Sequence, residues 1–88
     1  MEFRTTNLPL AAAITASTKL KLIRVEADPK QAVMVFDDPS GIGTDLELEF
    51  LSGQFLVPAS QYNVQLRAMR RQVEIKLAAA RTKEAARV

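Results

Sequence analysis

Three kinds of hydrophobic pattern run along the chain, and each predicts a different element. Residues 19–27 begin with strict alternation, Lys-Leu-Lys-Leu, and then slip phase at Leu22-Ile23. That predicts a strand carrying a bulge. Residues 32–36 form an almost continuous apolar run, Ala-Val-Met-Val-Phe, which predicts a strand buried on both faces. Between them, Asp28-Pro29-Lys30-Gln31 reads as a turn, with Pro29 presetting φ at a central position. The two runs therefore predict a central β-hairpin. A lone hairpin is marginal in water, so the sheet needs further strands. Phe3-Arg4-Thr5, with its β-favouring residues, supplies one, and residues 55–57 (Phe-Leu-Val) are a candidate fourth.

The remaining patterns are helical. Leu8–Ser17 is rich in alanine, the best helix former, and predicts a short helix buried on most sides. Thr6 or Asn7 can cap it, and Pro9 is tolerated in its first turn. Residues 44–52 carry two signals at once. Asp45-Leu46-Glu47-Leu48-Glu49-Phe50 alternates like a strand, whereas Thr44 and Glu47 have the spacing of a capping box. The helical reading is favoured, because acidic residues in the first turn suit the helix dipole and Gly53 suits the end. From Ser60 the pattern is helical to the end. Tyr62, Leu66, Met69, Val73, Leu77 and Ala80 recur every three or four residues, with no glycine or proline to interrupt them.

Such a helix spans about 40 Å at 1.5 Å per residue. A compact chain of this size is about 30 Å across, so the last turns are expected to overhang. The expected division is a single α+β domain over residues 1–80 and an Ala/Arg-rich helical extension over 81–88. Opposite the core face lies a second stripe of small or apolar residues: Val64, Ala68, Ile75, Ala79 and Ala86. Alanine alone would reflect helix propensity, but Val64 and Ile75 gain little from exposure, which makes Val64, Ala68, Ile75 and Ala79 candidates for self-association. Arg67, Arg70, Arg71 and Arg81 lie between the two stripes and are candidate phosphate contacts, since guanidinium forks match phosphate oxygens. Glu74 lies among them and offers a local alternative, pairing with Arg67, Arg70 or Arg71.

Charge sharpens this picture. The net charge is only +2, but from Ser60 onward there are seven basic and two acidic side chains, a net +5. The first 59 residues hold five basic and eight acidic, a net −3. The asymmetry suggests an acidic partner, pairing between oppositely charged faces of two copies, or simply a solvated helix face. At 88 residues, 48% apolar and 25% charged, the chain has the composition of one ordered globular domain.

The absence of histidine and cysteine excludes Cys–His and Ser–His–Asp catalysis, zinc clusters, and haem or iron–sulfur ligation. Asp37, Asp38, Asp45, Glu47 and Glu49 are not spaced as a metal cage, and Gly41-Ile42-Gly43-Thr44 lacks the lysine and spacing of a phosphate loop. No cofactor, metal, small-molecule substrate or enzymatic activity is expected. There is no apolar run long enough for a bilayer and no secretory pattern at the N-terminus. A cytoplasmic protein without membrane contact is expected.

Phe3-Arg4-Thr5-Thr6-Asn7-Leu8 before an alanine-rich helix, the run Val33-Met34-Val35-Phe36-Asp37-Asp38-Pro39, and the ending Gly53, Val57-Pro58, Tyr62 form a pattern. It resembles a family of short phage, plasmid and bacterial proteins catalogued as a domain of unknown function. The chain departs from that family at Asn7, where aspartate is usual, and at Lys19. The resemblance extends to about Val73 and implies a helix at residues 44–52, but no activity.

The reading of the whole is α+β. A small antiparallel sheet with a central hairpin is covered on one face by two short helices and one long C-terminal helix. Its core is expected from Phe3, Leu10, Ile14, Leu22, Val33, Val35, Phe36, Phe50, Leu56, Tyr62, Leu66, Met69 and Val73. The expected function is a non-enzymatic interaction module of phage or mobile-element type, acting as a homo-oligomer, adaptor or inhibitor through its long helix. An accessory nucleic-acid-binding protein is the alternative.

Overall fold

The computed structural model describes residues 1–86. Its elements are β1 (Glu2–Thr5), α1 (Leu8–Ser17), β2 (Lys21–Ala27), β3 (Ala32–Asp37), α2 (Gly43–Leu51) and α3 (Ala59–Ala85). The fold is α+β: three antiparallel strands in the order β1-β3-β2, with three helices. Residues 55–57 do not add a fourth strand. Leu56, expected in the core, is 88% exposed, because this stretch is connector and only Phe55 packs against the core.

The hairpin forms as its pattern dictates. Leu22 pairs with Phe36 and Arg24 with Val35, leaving Ile23 as the extra residue of a bulge. Asp28 shapes the turn, its Oδ1 accepting from the N–H groups of Lys30 and Gln31 at 2.8 and 2.9 Å. Those two bonds hold the Asp28 carboxyl below the usual carboxylate range. Along β3, side chains alternate between the faces. Ala32, Met34 and Phe36 point into the helical layer, where Val25, Leu46 and Met69 join them.

α1 is the middle of that layer. Leu10, Ala11, Ala12, Ala13 and Ile14 are all within 1% of complete burial. A helix that is apolar all round belongs inside. Asn7 caps it, Oδ1 accepting from Leu10 N–H at 3.1 Å. Thr18 closes it in the left-handed region, with φ 58°.

α2 is helical, as the capping and dipole arguments favoured, but its start differs from expectation. Thr44 is not the cap. The helix begins one residue earlier, and the side chain that serves its first turn is Asp38. The Asp38 carboxylate accepts from Ile42 N–H and Gly43 N–H, both at 2.8 Å, and the residue is 4% exposed. Gly43 is needed because a Cβ there would run into the Phe3 ring. At the other end Gly53, φ +79°, completes a Schellman motif. Its N–H donates to Phe50 O at 3.2 Å, and Gln54 N–H donates to Glu49 O at 2.9 Å.

α3 packs on α1 and β2, and the molecule measures 46 × 29 × 20 Å. The overhang of α3 is shorter than expected, because the hairpin tip stands beside the last turns. Arg81 Nε donates to Pro29 O at 3.2 Å, and Ala80, Lys83 and Glu84 border Ala27, Asp28 and Pro29. Of the expected 81–88 extension, Arg87 and Val88 lie outside the described residues. No helix among the described residues is long and apolar enough to cross a membrane.

Candidate functional site

The inner stripe of α3 packs against the domain. Met69 is buried, and Tyr62, Leu66, Val73, Leu77 and Ala80 are half-buried. A single 27-residue helix with that face turned inward must turn the opposite stripe outward, since residues differ by about 100° around the axis. Val64 and Ile75 are 62% and 60% exposed, and Ala68, Ala79 and Ala86 are exposed between and beyond them. The outward face thus carries small side chains and two branched ones, interrupted between Ala68 and Ile75 by exposed Arg71 and Gln72.

The four arginines do not form one cluster. Arg67, Arg70 and Arg71 are exposed on successive turns. Arg81 sits about 15 Å further along the axis and donates to the carbonyl of Pro29. Among the described residues Glu74 forms no ion pair with Arg67, Arg70 or Arg71. The local neutralisation that the spacing allowed is absent, and the positive field of this stretch faces solvent.

All ion pairs among the described residues lie elsewhere, on the sheet face away from the helices. There Glu2, Arg4, Glu26 and Arg24 close a ring. Arg4 reaches Glu2 at 3.2 Å and also contacts Glu26. Arg24 Nε meets Glu26 Oε2 at 2.6 Å, and its Nη1 meets Glu2 Oε2 at 3.2 Å. The ring lies over Val35, whose register neighbours on either side are Arg4 and Arg24. Val35 is 0% exposed. The expectation that β3 is buried on both faces is met here by the aliphatic stems of two arginines rather than by a second layer. Hydrogen bonds to Glu2 and Glu26 raise the pKa of Arg24, and the bond from Arg24 lowers that of Glu26. Sequence reasoning missed this ring, because cross-strand neighbours are defined only once β1-β3-β2 is known. Its four charges are mutually satisfied, and it is a lid rather than a binding site.

A second feature was also missed. On α2, Leu48 and Leu51 are 61% and 68% exposed. They sit three residues apart on the outer surface, with exposed Asp45 one turn before Leu48 and exposed Glu49 on its flank. The signal was present in the strand-like alternation of residues 45–50, which on a helix distributes leucines to both faces. A shallow groove between α1 and α3, lined by Thr15, Thr18, Ser60, Gln61 and Gln65 together with Ala16 and Val64, holds hydroxyls and amides but no ionisable group.

Comparison with family models, with curated proteins and with solved structures finds no match for the chain.

Proposed function

We propose that the protein is a small, cytoplasmic, non-enzymatic interaction module, of the kind carried by phages and mobile elements, whose working surface is the outward face of α3. One observation carries this reading. α3 uses a single stripe to hold the domain together and presents a second stripe, with Val64 and Ile75 more than half exposed, that contributes nothing to its own core. Burying such branched side chains against a partner is favourable by about 25 cal/mol per Å² of apolar surface removed from water. The flanking arginines would select what docks there.

The test compares wild type with Ile75→Glu, after circular dichroism and melting show both folded. Self-association is read by sedimentation, and bound proteins by co-purification from cells that carry the gene. The expected result is associated species with wild type and their loss with Ile75→Glu. Identical profiles for the two proteins, including two profiles with no associated species, would overturn the reading.

The lack of an ion pair between Glu74 and its arginine neighbours supports a second reading, in which Arg67, Arg70 and Arg71 contact a phosphate backbone. That reading expects sequence-tolerant binding of labelled oligonucleotides, falling steeply between low salt and about 200 mM. It also expects Arg70→Glu/Arg71→Glu to abolish the binding. No anisotropy change at low salt, where phosphate contacts are strongest, would remove it.

A further inference from the structure

We infer that the occupant of the α3 outer face is the α2 surface of a second copy of this chain, a reading that rests on the function proposed above and names its partner.

The two surfaces are complementary in both shape-bearing and charged residues. α3 offers exposed Ile75 with the small side chains of Ala78 and Ala79 on the turn after it and Arg71 on the turn before. α2 offers two leucines, Leu48 and Leu51, that are 61% and 68% exposed. The chain has no lysine or arginine between Lys30 and Arg67, while Asp37, Asp38, Asp45, Glu47 and Glu49 all fall there. Asp38 is spent inside the fold on the first turn of α2. Asp45 and Glu49 remain exposed beside the leucines. The α3 face is bordered by exposed Arg67, Arg71, Lys76 and Lys83, which are not engaged in ion pairs among the described residues. Stacking α3 on α3 from two copies would instead bring basic borders together. The exposed acids of α2 and the basic borders of α3 thus make two docking faces of opposite charge.

The positions of the two faces set the geometry. α2 lies at the β1 side of the helical layer, where Gly43 abuts Phe3, and α3 lies at the β2 side, where it packs on that strand. Faces on opposite flanks join head to tail, so docking continues past the dimer into a ring or an open chain.

Sedimentation velocity and light scattering on the full chain read this directly. Mass should rise from 9.7 kDa past the dimer as concentration increases, and fall again at high salt. Asp45→Lys/Glu49→Lys should be monomeric, and so should Arg67→Glu/Arg71→Glu. An equimolar mixture of the two reversed proteins should regain assembly, because both faces of each are then opposite in charge to those of the other. Leu48→Ser/Leu51→Ser repeats the α2 test with its acidic first turn intact, and should also be monomeric with an unchanged fold. A wild type that remains monomeric at high micromolar concentration, a mass that stops at the dimer, or a reversed mixture that stays monomeric overturns the inference. Assembly that survives the α2 variants but is lost in Ile75→Glu overturns α2 as the occupant and leaves the α3 face standing. Assembly indifferent to Ile75→Glu overturns both.

Discussion

Asp38 looks in the sequence like one of two loop acids beside a proline, yet its carboxylate is buried and spans the gap to the first turn of α2 with two 2.8 Å bonds. Asp38→Ala should cost about 2–3 kcal/mol, more than an exposed cap, because two N–H groups lose a charged acceptor in a buried place. Chemical denaturation reads that loss. Thr18 is the opposite case, a β-branched residue held at φ 58°. Thr18→Gly should raise stability by about 0.5 kcal/mol, the relief of a left-handed conformation less the entropy of an added glycine. Glu26 carries the pH dependence that belongs to a single side chain. Its folded pKa is lowered by Arg24, so its contribution is present above the ordinary glutamate value of about 4.3. That contribution is lost as pH falls through the folded value. Urea midpoints should therefore drop more below about pH 4 in wild type than in Glu26→Gln. None of these three roles was legible in the sequence. A cap reached across a loop, a left-handed threonine and a cross-strand ring all depend on where the chain turns, which local patterns do not encode.

The elements themselves were far more legible. The bulge at Ile23 follows from the phase slip at Leu22-Ile23, and the inner stripe of α3 follows from a spacing of three and four residues. Both signals come from a face that must be buried, and burial is what a period records. Leu56 misled because the apolar run Phe55-Leu56-Val57 is too short to carry a period, and the leucine is 88% exposed. Met34 and Leu46 were missed as core residues although they are 1% and 3% exposed, since continuous or competing patterns hide which side chains face inward. At this scale the two stripes of α3 should answer differently to mutation. Met69→Ala should cost about 2–4 kcal/mol, as cavity creation does at a buried site. Ile75→Glu should shift the stability of the isolated protomer by no more than about 0.5 kcal/mol, as exposed positions generally do. Paired melting curves under dilute conditions would show the contrast. Equal losses would mean the outer stripe is structural. The outward placement of Val64, Ala68, Ile75 and Ala79 was thus readable from angle alone, whereas the isolation of Arg81 at the hairpin tip and the unpaired state of Glu74 were not.

For the whole molecule, the acidic helix α2 and the basic helix α3 lie on opposite flanks, and the sheet's outer face is closed by four mutually neutralising side chains. The ring should matter less for stability than for solubility. Exposed ion pairs contribute little to stability, but Arg4→Ala/Arg24→Ala would strip the cover from Val35 and expose it. Light scattering on heating should show that variant aggregating at lower temperature than wild type. The burial of α1 reaches furthest, into biosynthesis. α1 is the most deeply enclosed element, and a principal neighbour that encloses it, α3, is made only after the whole sheet and α2. Vectorial synthesis therefore cannot yield this domain step by step. The nascent chain must carry an apolar, alanine-rich segment without its α3 cover until translation has passed Ala59.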